Sequence, residues 1–244
     1  MTDKVAIVTG ASGGMGEAIS AKLIADGMTV VALDKSPVGM TQTKTRLGDA
    51  FHGYLIDLTN ANDVQSLFQE IWEKYNGVDA LVNNAGTCLM SDFPHIMADE
   101  LRKQMEINFY SAFYCSQAVI PLMKHREGVR KIVNISSNGA YNFDVFDPPH
   151  YRASKAAMDT LTKDMARRYA SEKIAVNSIA PAMTETPLFG VLTEDVLQKA
   201  IDAMPHGRAM EPSEIAAWVS FLISPAGDIC SGNVIVLNQG RDVR

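Results

Sequence analysis

The chain has 244 residues, enough for one large α/β domain or two small ones, either with a sizeable core. With 47% hydrophobic and 20% charged residues it has the composition of a soluble globular protein, and a formal net charge of -6 excludes a basic nucleic-acid surface. No run approaches the ~20 apolar residues of a membrane span. The apolar run after Met1–Lys4 is too short and wrongly flanked for a secretion signal. Cys88, Cys115 and Cys230 are odd in number and lack metal-ligand spacing, so the expected setting is a reducing cytoplasm and no metal is expected.

The first element is a strand at Val5–Thr9, followed at once by Thr9-Gly10-Ala11-Ser12-Gly13-Gly14-Met15-Gly16 and the start of a helix. Backbone N–H groups at such a helix start can face a pyrophosphate, and only glycines allow a phosphate so close to the main chain. The alternative, a tight turn with no ligand, leaves four glycines and their conformational cost unexplained. A second strand, Thr29–Asp34, ends on a carboxylate eighteen residues past Gly16. Asp34 can accept hydrogen bonds from both adenosine ribose hydroxyls and would repel a 2′-phosphate, which favours NAD over NADP. Lys35 beside it argues the other way, and Asp34 also suits a loop start before Ser36-Pro37.

Further strands are predicted at Gly53–Asp57, Ala80–Asn84, Lys131–Ser136, Ala175–Ile179 and Asn233–Leu237, all near-continuous apolar runs as in parallel strands buried on both faces. Between them, Val64, Leu67, Phe68, Ile71, Trp72 and Tyr75 recur at helical spacing, and Gly27 and Gly77 stand where helix ends belong. The alternation predicts an α/β fold, a single-domain Rossmann-type doubly wound parallel sheet over residues 1–244. The stretch at about 184–205, with a helix over Thr193–Met204, is placed as a substrate lid.

Tyr151 and Lys155 stand four apart at a helix start, with Ser137 fourteen residues upstream at the end of a strand. With seven tyrosines, such a pair arises by chance about one time in three, so it gains weight only from the glycine turn upstream. An ammonium about 5 Å from the phenol is worth roughly 3 kcal/mol at an effective dielectric of ~20, or some two pKa units, which would bring Tyr151 near 8. Tyr151 is then a general acid/base, and Ser137 orients the substrate oxygen. Strand alternation sends Ser136 and Ser137 to opposite faces.

The ordered set Thr9–Gly16, Asp57-Leu58, Asn83-Asn84-Ala85-Gly86, Asn108, Ile135-Ser136-Ser137, Tyr151-x-x-x-Lys155, Asn177–Thr186, Gly207-Arg208 and Glu214-Ile215-Ala216 resembles the short-chain dehydrogenase/reductase family nearly end to end. The resemblance implies that Asp57 and Leu58 flank adenine, that Asn84, Ala85 and Gly86 line the adenosine ribose, and that Pro181, Thr184 and Thr186 lie at the nicotinamide end. It also implies that Lys155 holds the nicotinamide ribose, that Ser137 is the reactive serine of its pair, and that Asn108 holds a water in a proton relay. Taken singly, Asp57, Asn83–Gly86 and Thr186 read equally well as turn or cap residues, and Asn108 as one that satisfies backbone in a buried helix. Ala182 and Gln239 replace family glycines. A homotetramer through the long helices Asp99–Lys124 and Tyr151–Ser171 is expected from the family.

Tyr141, Phe143, Asp144, Phe146 and Asp147, with Met183, Leu188 and Phe189 of the lid, are expected around the substrate and suggest an apolar body, although the aromatics suit simple packing of the loops equally well. The two aspartates oppose an anionic substrate, with His150, Arg152 and Arg208 as candidates to offset them. Glu172 stands at a position where a basic residue for docking an acyl carrier protein would be expected. The reading is therefore an NAD(H)-dependent oxidoreductase of a secondary alcohol, hydroxysteroid-like or polyol. A 3-oxoacyl-thioester reductase is the alternative in the same class, and a dehydratase or epimerase is a weaker one. A non-catalytic NAD(H)-binding regulator is the alternative of another class, which would need the glycine turn but not Ser137, Tyr151 and Lys155 together.

Overall fold

The computed structural model describes residues 4–142 and 147–242. Its centre is a seven-stranded sheet of β1 (Val5–Thr9), β2 (Thr29–Asp34), β3 (Phe51–Leu55), β4 (Ala80–Asn83), β5 (Arg130–Ile135), β6 (Ile174–Pro181) and β7 (Val234–Leu237), in the order 3-2-1-4-5-6-7. Every neighbouring pair is parallel. The strand order reverses between β1 and β4, which opens a crevice at the carboxyl ends of those two strands.

Helices α1 (Gly14–Ala25), α2 (Pro37–Leu47), α3 (Ala61–Tyr75), α4 (Ala98–Met105), α5 (Ser111–Met123), α6 (Pro149–Tyr169), α7 (Glu194–Asp202) and α8 (Pro212–Ile223) complete the described fold. Strand alternation divides the core in two. Val5, Ile7, Val31 and Leu33 face Phe68, Ile71, Val119 and Met165 of α3, α5 and α6. Ala6, Val8, Val30 and Ala32 face Ile19, Leu23, Ile215 and Val219 of α1 and α8. Each fully buried Val, Leu, Ile or Phe among them contributes roughly 1.5–3 kcal/mol.

Local chemistry sets the helix ends. The Asn60 side chain accepts from the N–H groups of Asn62 and Asp63 to start α3, which ends on Asn76 and Gly77, both with positive φ. Ser36 caps α2, and Pro149 occupies the first turn of α6, where no N–H is needed.

The strand predictions hold to within two residues at each end, and β3 shows why they drift. Phe51 is fully buried and pairs with Val30, so the strand begins there. It stops at Leu55 because Asp57 folds back to accept from the Thr59 N–H and hydroxyl. As an edge strand it is buried only at Phe51 and beyond that alternates half-buried and exposed positions, instead of being buried throughout. The expected continuous helix 99–124 is in fact α4, a π-helical turn over Glu106–Tyr110, and α5. An inserted residue there widens the turn around Asn108, a feature common at functional sites.

Candidate active site

The glycine turn closes over the β1–β4 crevice. Thr9 Oγ1 accepts from the N–H of Asn84 (3.0 Å) and of Ala85 (2.9 Å), and Asn84 Nδ2 donates to the carbonyls of Thr9 and Gly10 at 3.0 Å each. Gly10 has φ +62, and a Cβ there would come within 2.8 Å of Ala85 Cα. Gly10, Ser12, Gly13, Gly14, Met15, Asp34, Asp57, Leu58, Asn84, Ala85 and Gly86 all line one cleft, joined by Lys35 and Lys103. Gly16 does not line it. A Cβ on Gly16 would lie 1.9 Å from the Gly10 carbonyl oxygen, so this glycine lets α1 pack against the turn.

Asp34 lies against the glycine turn, with Oδ2 accepting from Ser12 N–H (3.0 Å) and Oδ1 from Ser36 N–H (2.9 Å). Each oxygen keeps a second lone pair. Asp57 is held below the usual carboxylate range, chiefly by the Thr59 N–H. Asn84 Oδ1 is a buried acceptor without a protein partner, pointing to a ligand donor. Bare backbone N–H groups at a helix start, a ribose-type carboxylate and an orphaned acceptor suit a dinucleotide.

A second cavity adjoins the first. Ser136, Ser137, Tyr151, Pro181, Met183, Thr184 and Phe189 line it, and Met15 and Thr186 line both. Tyr151 sits in the first turn of α6, and its phenol is hydrogen-bonded to Ser137, whose Oγ also accepts from Gly139 N–H at 3.0 Å. Ser136 turns away, donating to Asp159 at 2.9 Å. Lys155 is buried one turn beyond Tyr151, with Nζ donating to the Ile135 carbonyl at 2.8 Å and lying 6.0 Å from the Tyr151 ring centre.

The expected lysine-depressed tyrosine is not what the free protein contains. Burial pushes the phenol well above its ordinary value, and the Asp147 carboxylate pushes it further, against the Ser137 hydrogen bond. Burial also pulls Lys155 down to about 8, opposed by Asp159 and Cys88. The ammonium is tied to Ile135 and enclosed with the phenol, so desolvation outweighs the Coulomb attraction counted from helix spacing alone.

Asn108 is fully buried in the π-helical turn. It accepts from Thr87 N–H (2.8 Å) and donates to Thr87 O (2.9 Å) and Ser154 Oγ (3.0 Å). A Cβ on Gly86 would lie 3.3 Å from Lys155 Nζ and 3.4 Å from Asn108 Oδ1, so both heads flank that glycine.

Tyr141, expected at the substrate, is absent from the cavity wall and directs its hydroxyl to Asp159. Phe143, Asp144 and Phe146 fall outside the described residues, as does the Leu188 side chain. Pro181 and Thr184, expected at the nicotinamide end, line the second cavity and not the glycine-lined cleft. His150 is buried against Glu100 at 3.2 Å and Arg208 pairs with Glu214 at 2.7 Å, so neither faces the cavity.

Cys88, Met90 and Arg241 line it without having been expected. Arg241 reaches it because Asp242 accepts from Asn138 (3.0 Å) and Asn142 (2.7 Å), which no local sequence signal reveals. Asp159 had a signal, a carboxylate four residues past Lys155 on the Tyr151 face of α6.

Residues 4–197 match the short chain dehydrogenase family. The chain belongs to the short-chain dehydrogenase family. Its members act as oxidoreductases on CH–OH or C=O groups, and so does this chain. It is 34% identical to the 3-oxoacyl-[acyl-carrier-protein] reductase FabG of Vibrio cholerae, over 97% of this chain and 96% of that one. It is 32% identical to a 3alpha-hydroxysteroid dehydrogenase of Mediterraneibacter gnavus, over 96% of this chain and 95% of that one.

Among solved structures of this fold, the 3-ketoacyl-(acyl-carrier-protein) reductase of Brucella melitensis complexed with NADH superposes with a TM-score of 0.90 at 26% identity, covering 98% of both chains. A variant actinorhodin polyketide ketoreductase with NADPH gives 0.91 at 28%, covering 98% and 97%. Gln239, one of the two residues read from the resemblance as replacing family glycines, has a positive φ (+59). Its side chain accepts from His206 N–H (2.9 Å) and donates to the Arg208 carbonyl (3.1 Å), which offsets the left-handed backbone. Ala182, the other replacement, has no positive φ and donates its N–H to Leu237 O at 2.8 Å, so its Cβ brings no such strain. No helix among the described residues is long and apolar enough to cross a membrane.

Proposed function

We propose that the chain is an NAD(H)-dependent reductase of 3-oxoacyl thioesters, interconverting a ketone and a secondary alcohol. The observation that carries this is the Tyr151–Ser137 hydrogen bond inside a cavity that opens onto the glycine-lined cleft. Bound in the cleft, a nicotinamide dinucleotide supplies or accepts the hydride. Gly10–Met15 and Asn84–Gly86 hold its phosphates and ribose, and Asp34 takes the adenosine ribose hydroxyls, which favours NAD(H).

Ser137 orients the substrate oxygen and Tyr151 delivers a proton to it. A phenol raised by burial stays protonated at neutral pH, which suits an acid acting in reduction. Lys155 steadies the phenolate that forms, and Asn108 supports the resupply of its proton. Segment 184–205 serves as a lid over a cavity with apolar walls from Met90, Met183 and Phe189. Assembly as a homotetramer is consistent with Leu101, Tyr110 and Phe113, which are exposed on α4, the π-helical turn and α5.

Likeness to 3-oxoacyl reductases supports the thioester. Glu172 is paired with Lys124 at 2.7 Å, which offsets its charge towards an acidic carrier. Oxidation of a hydroxysteroid-like alcohol with NAD is the second reading, favoured by the relative from Mediterraneibacter gnavus.

Acetoacetyl-CoA with NADH and with NADPH, and a 3-hydroxysteroid with NAD and with NADP, followed at 340 nm, separate these readings. Turnover of the thioester, preferentially with NADH, is expected, and Tyr151→Phe should lower it by 10² or more while NADH still binds. Turnover of the steroid alone would replace the substrate, and equal use of NADPH would overturn the role of Asp34. Tight NADH binding without turnover of either would support a regulator.

A further inference from the structure

Asp159 is a buried carboxylate that the proposed reaction does not use. It is 3% exposed, one turn past Lys155 and two past Tyr151 on α6. Ser178 Oγ donates to its Oδ1 at 2.7 Å and Ser136 Oγ to its Oδ2 at 2.9 Å, and the Tyr141 hydroxyl adds a third hydrogen bond. All three donors are neutral. Consecutive residues at the end of β5 thus hold a pair of charges: the Ile135 carbonyl takes the Lys155 ammonium and Ser136 holds the Asp159 carboxylate.

We propose that Asp159 is a positioning residue whose carboxylate, anchored by Ser136 and Ser178 one turn from Lys155, keeps that buried lysine charged beneath Tyr151. The inference rests on the reading of Tyr151 as the proton donor. The groups acting on Lys155 are Asp159 on its own helix, Cys88 from the loop after β4, and the Tyr151 ring. Burial pushes Asp159 up, and it is opposed by the hydrogen bonds from Ser178 of β6, Tyr141 from the segment after β5 and Ser136 just past the end of β5, and then by Lys155. Burial drives Lys155 towards the neutral amine, and among these groups Asp159 is the foremost opposing it. Residues four apart on a helix have Cβ atoms about 5–6 Å apart, close enough for a coupling of one to two pH units.

The test is the pH profile of acetoacetyl-CoA reduction by wild type and Asp159→Asn. The alkaline limb of kcat/KM is expected about one to two units lower in the variant, with rates at pH 6 within about threefold. A uniform loss at every pH, with the limb unmoved, would reduce Asp159 to a structural role.

Direct titration separates this from the choice of substrate. In protein labelled with ¹⁵Nζ-lysine, the Lys155 midpoint should fall in Asp159→Asn, and an unchanged midpoint overturns the proposal whatever the enzyme reduces. Should Asp159→Asn not fold, the coupling is read from the other side. In Lys155→Met the ¹³Cγ titration of Asp159 should move up by a similar amount, and no movement refutes the coupling.

Discussion

Two glycines three residues apart should respond to the same substitution in opposite ways. A methyl on Gly16 would stand 1.9 Å from the Gly10 carbonyl oxygen and 2.7 Å from Asn84 Nδ2, both fixed by the β1–β4 junction. Neither neighbour is a flexible tip, so the backbone must shift, and Gly16→Ala belongs at or above the upper end of the about 1–3 kcal/mol typical of overpacking. For a chain of this length about 3 kcal/mol corresponds to a fall in Tm of roughly 6–12 °C.

A methyl on Gly13 meets nothing within 4 Å, and with φ 160 the residue is close to extended backbone. Gly13→Ala should therefore keep Tm within about 2 °C. Gly13 lines the cleft, however, and its new Cβ would occupy the approach of a phosphate. NADH affinity should fall at least about tenfold, some 1.4 kcal/mol. Calorimetry for Tm and fluorescence titration for NADH give both numbers on each variant. Gly16→Ala melting like wild type would refute the packing argument. Gly13→Ala binding NADH unchanged would refute the placement of phosphate over the turn.

The Arg208–Glu214 pair sets a pH-dependent increment of stability. Hydrogen bonding to Arg208, then the Glu211 N–H, lowers Glu214 to about 2, so its contribution is present above the ordinary glutamate range near 4.5 and is lost as pH falls towards 2. Both side chains are nearly half exposed (48% and 42%), which limits the effect to about 1 kcal/mol. Wild type should melt roughly 2–4 °C above Glu214→Gln at pH 6, with the gap closing by pH 2–3. A gap independent of pH would rule out the ionic contribution. Cysteine labelling tests the cavity wall. Burial pushes the Cys88 and Cys115 thiols up to about 12, whereas Cys230 is only half-buried. Iodoacetamide at pH 8 should modify Cys230 first, as read by peptide mass spectrometry, and equal labelling of Cys88 would contradict its enclosure.

Local patterns in the sequence were enough for the strands, the glycine turn and the Tyr151–Lys155 helix, because each depends on neighbours within a few residues. β2 and β4 show this: buried apolar runs that follow a glycine with positive φ leave little freedom in where a strand starts. The chemistry within the site was less legible. The phenol responds to Asp147 and to enclosure by segments far apart in the chain, neither of which helix spacing contains. Tyr141 read as a cavity aromatic because it follows Ser137, yet a buried carboxylate needing donors turned its hydroxyl inward. Arg241 arrives through pairing of Asp242 with two asparagines about a hundred residues earlier, a contact with no periodic trace.

Burial acts in opposite senses on the two members of the Tyr151–Lys155 pair, and that opposition bears on the direction of the reaction. The phenol is raised and the ammonium is lowered only to about 8, so at pH 7 both groups still carry their protons. The positive end of α6 favours a phenolate by at most about 1–2 kcal/mol, too little to reverse the desolvation of an enclosed ring. A pair poised with both protons can give one to an alkoxide as it forms, whereas oxidation must first remove a proton from the phenol. The geometry therefore suits ketone reduction near neutrality. Alcohol oxidation would need either a higher pH or a further positive charge beside the ring.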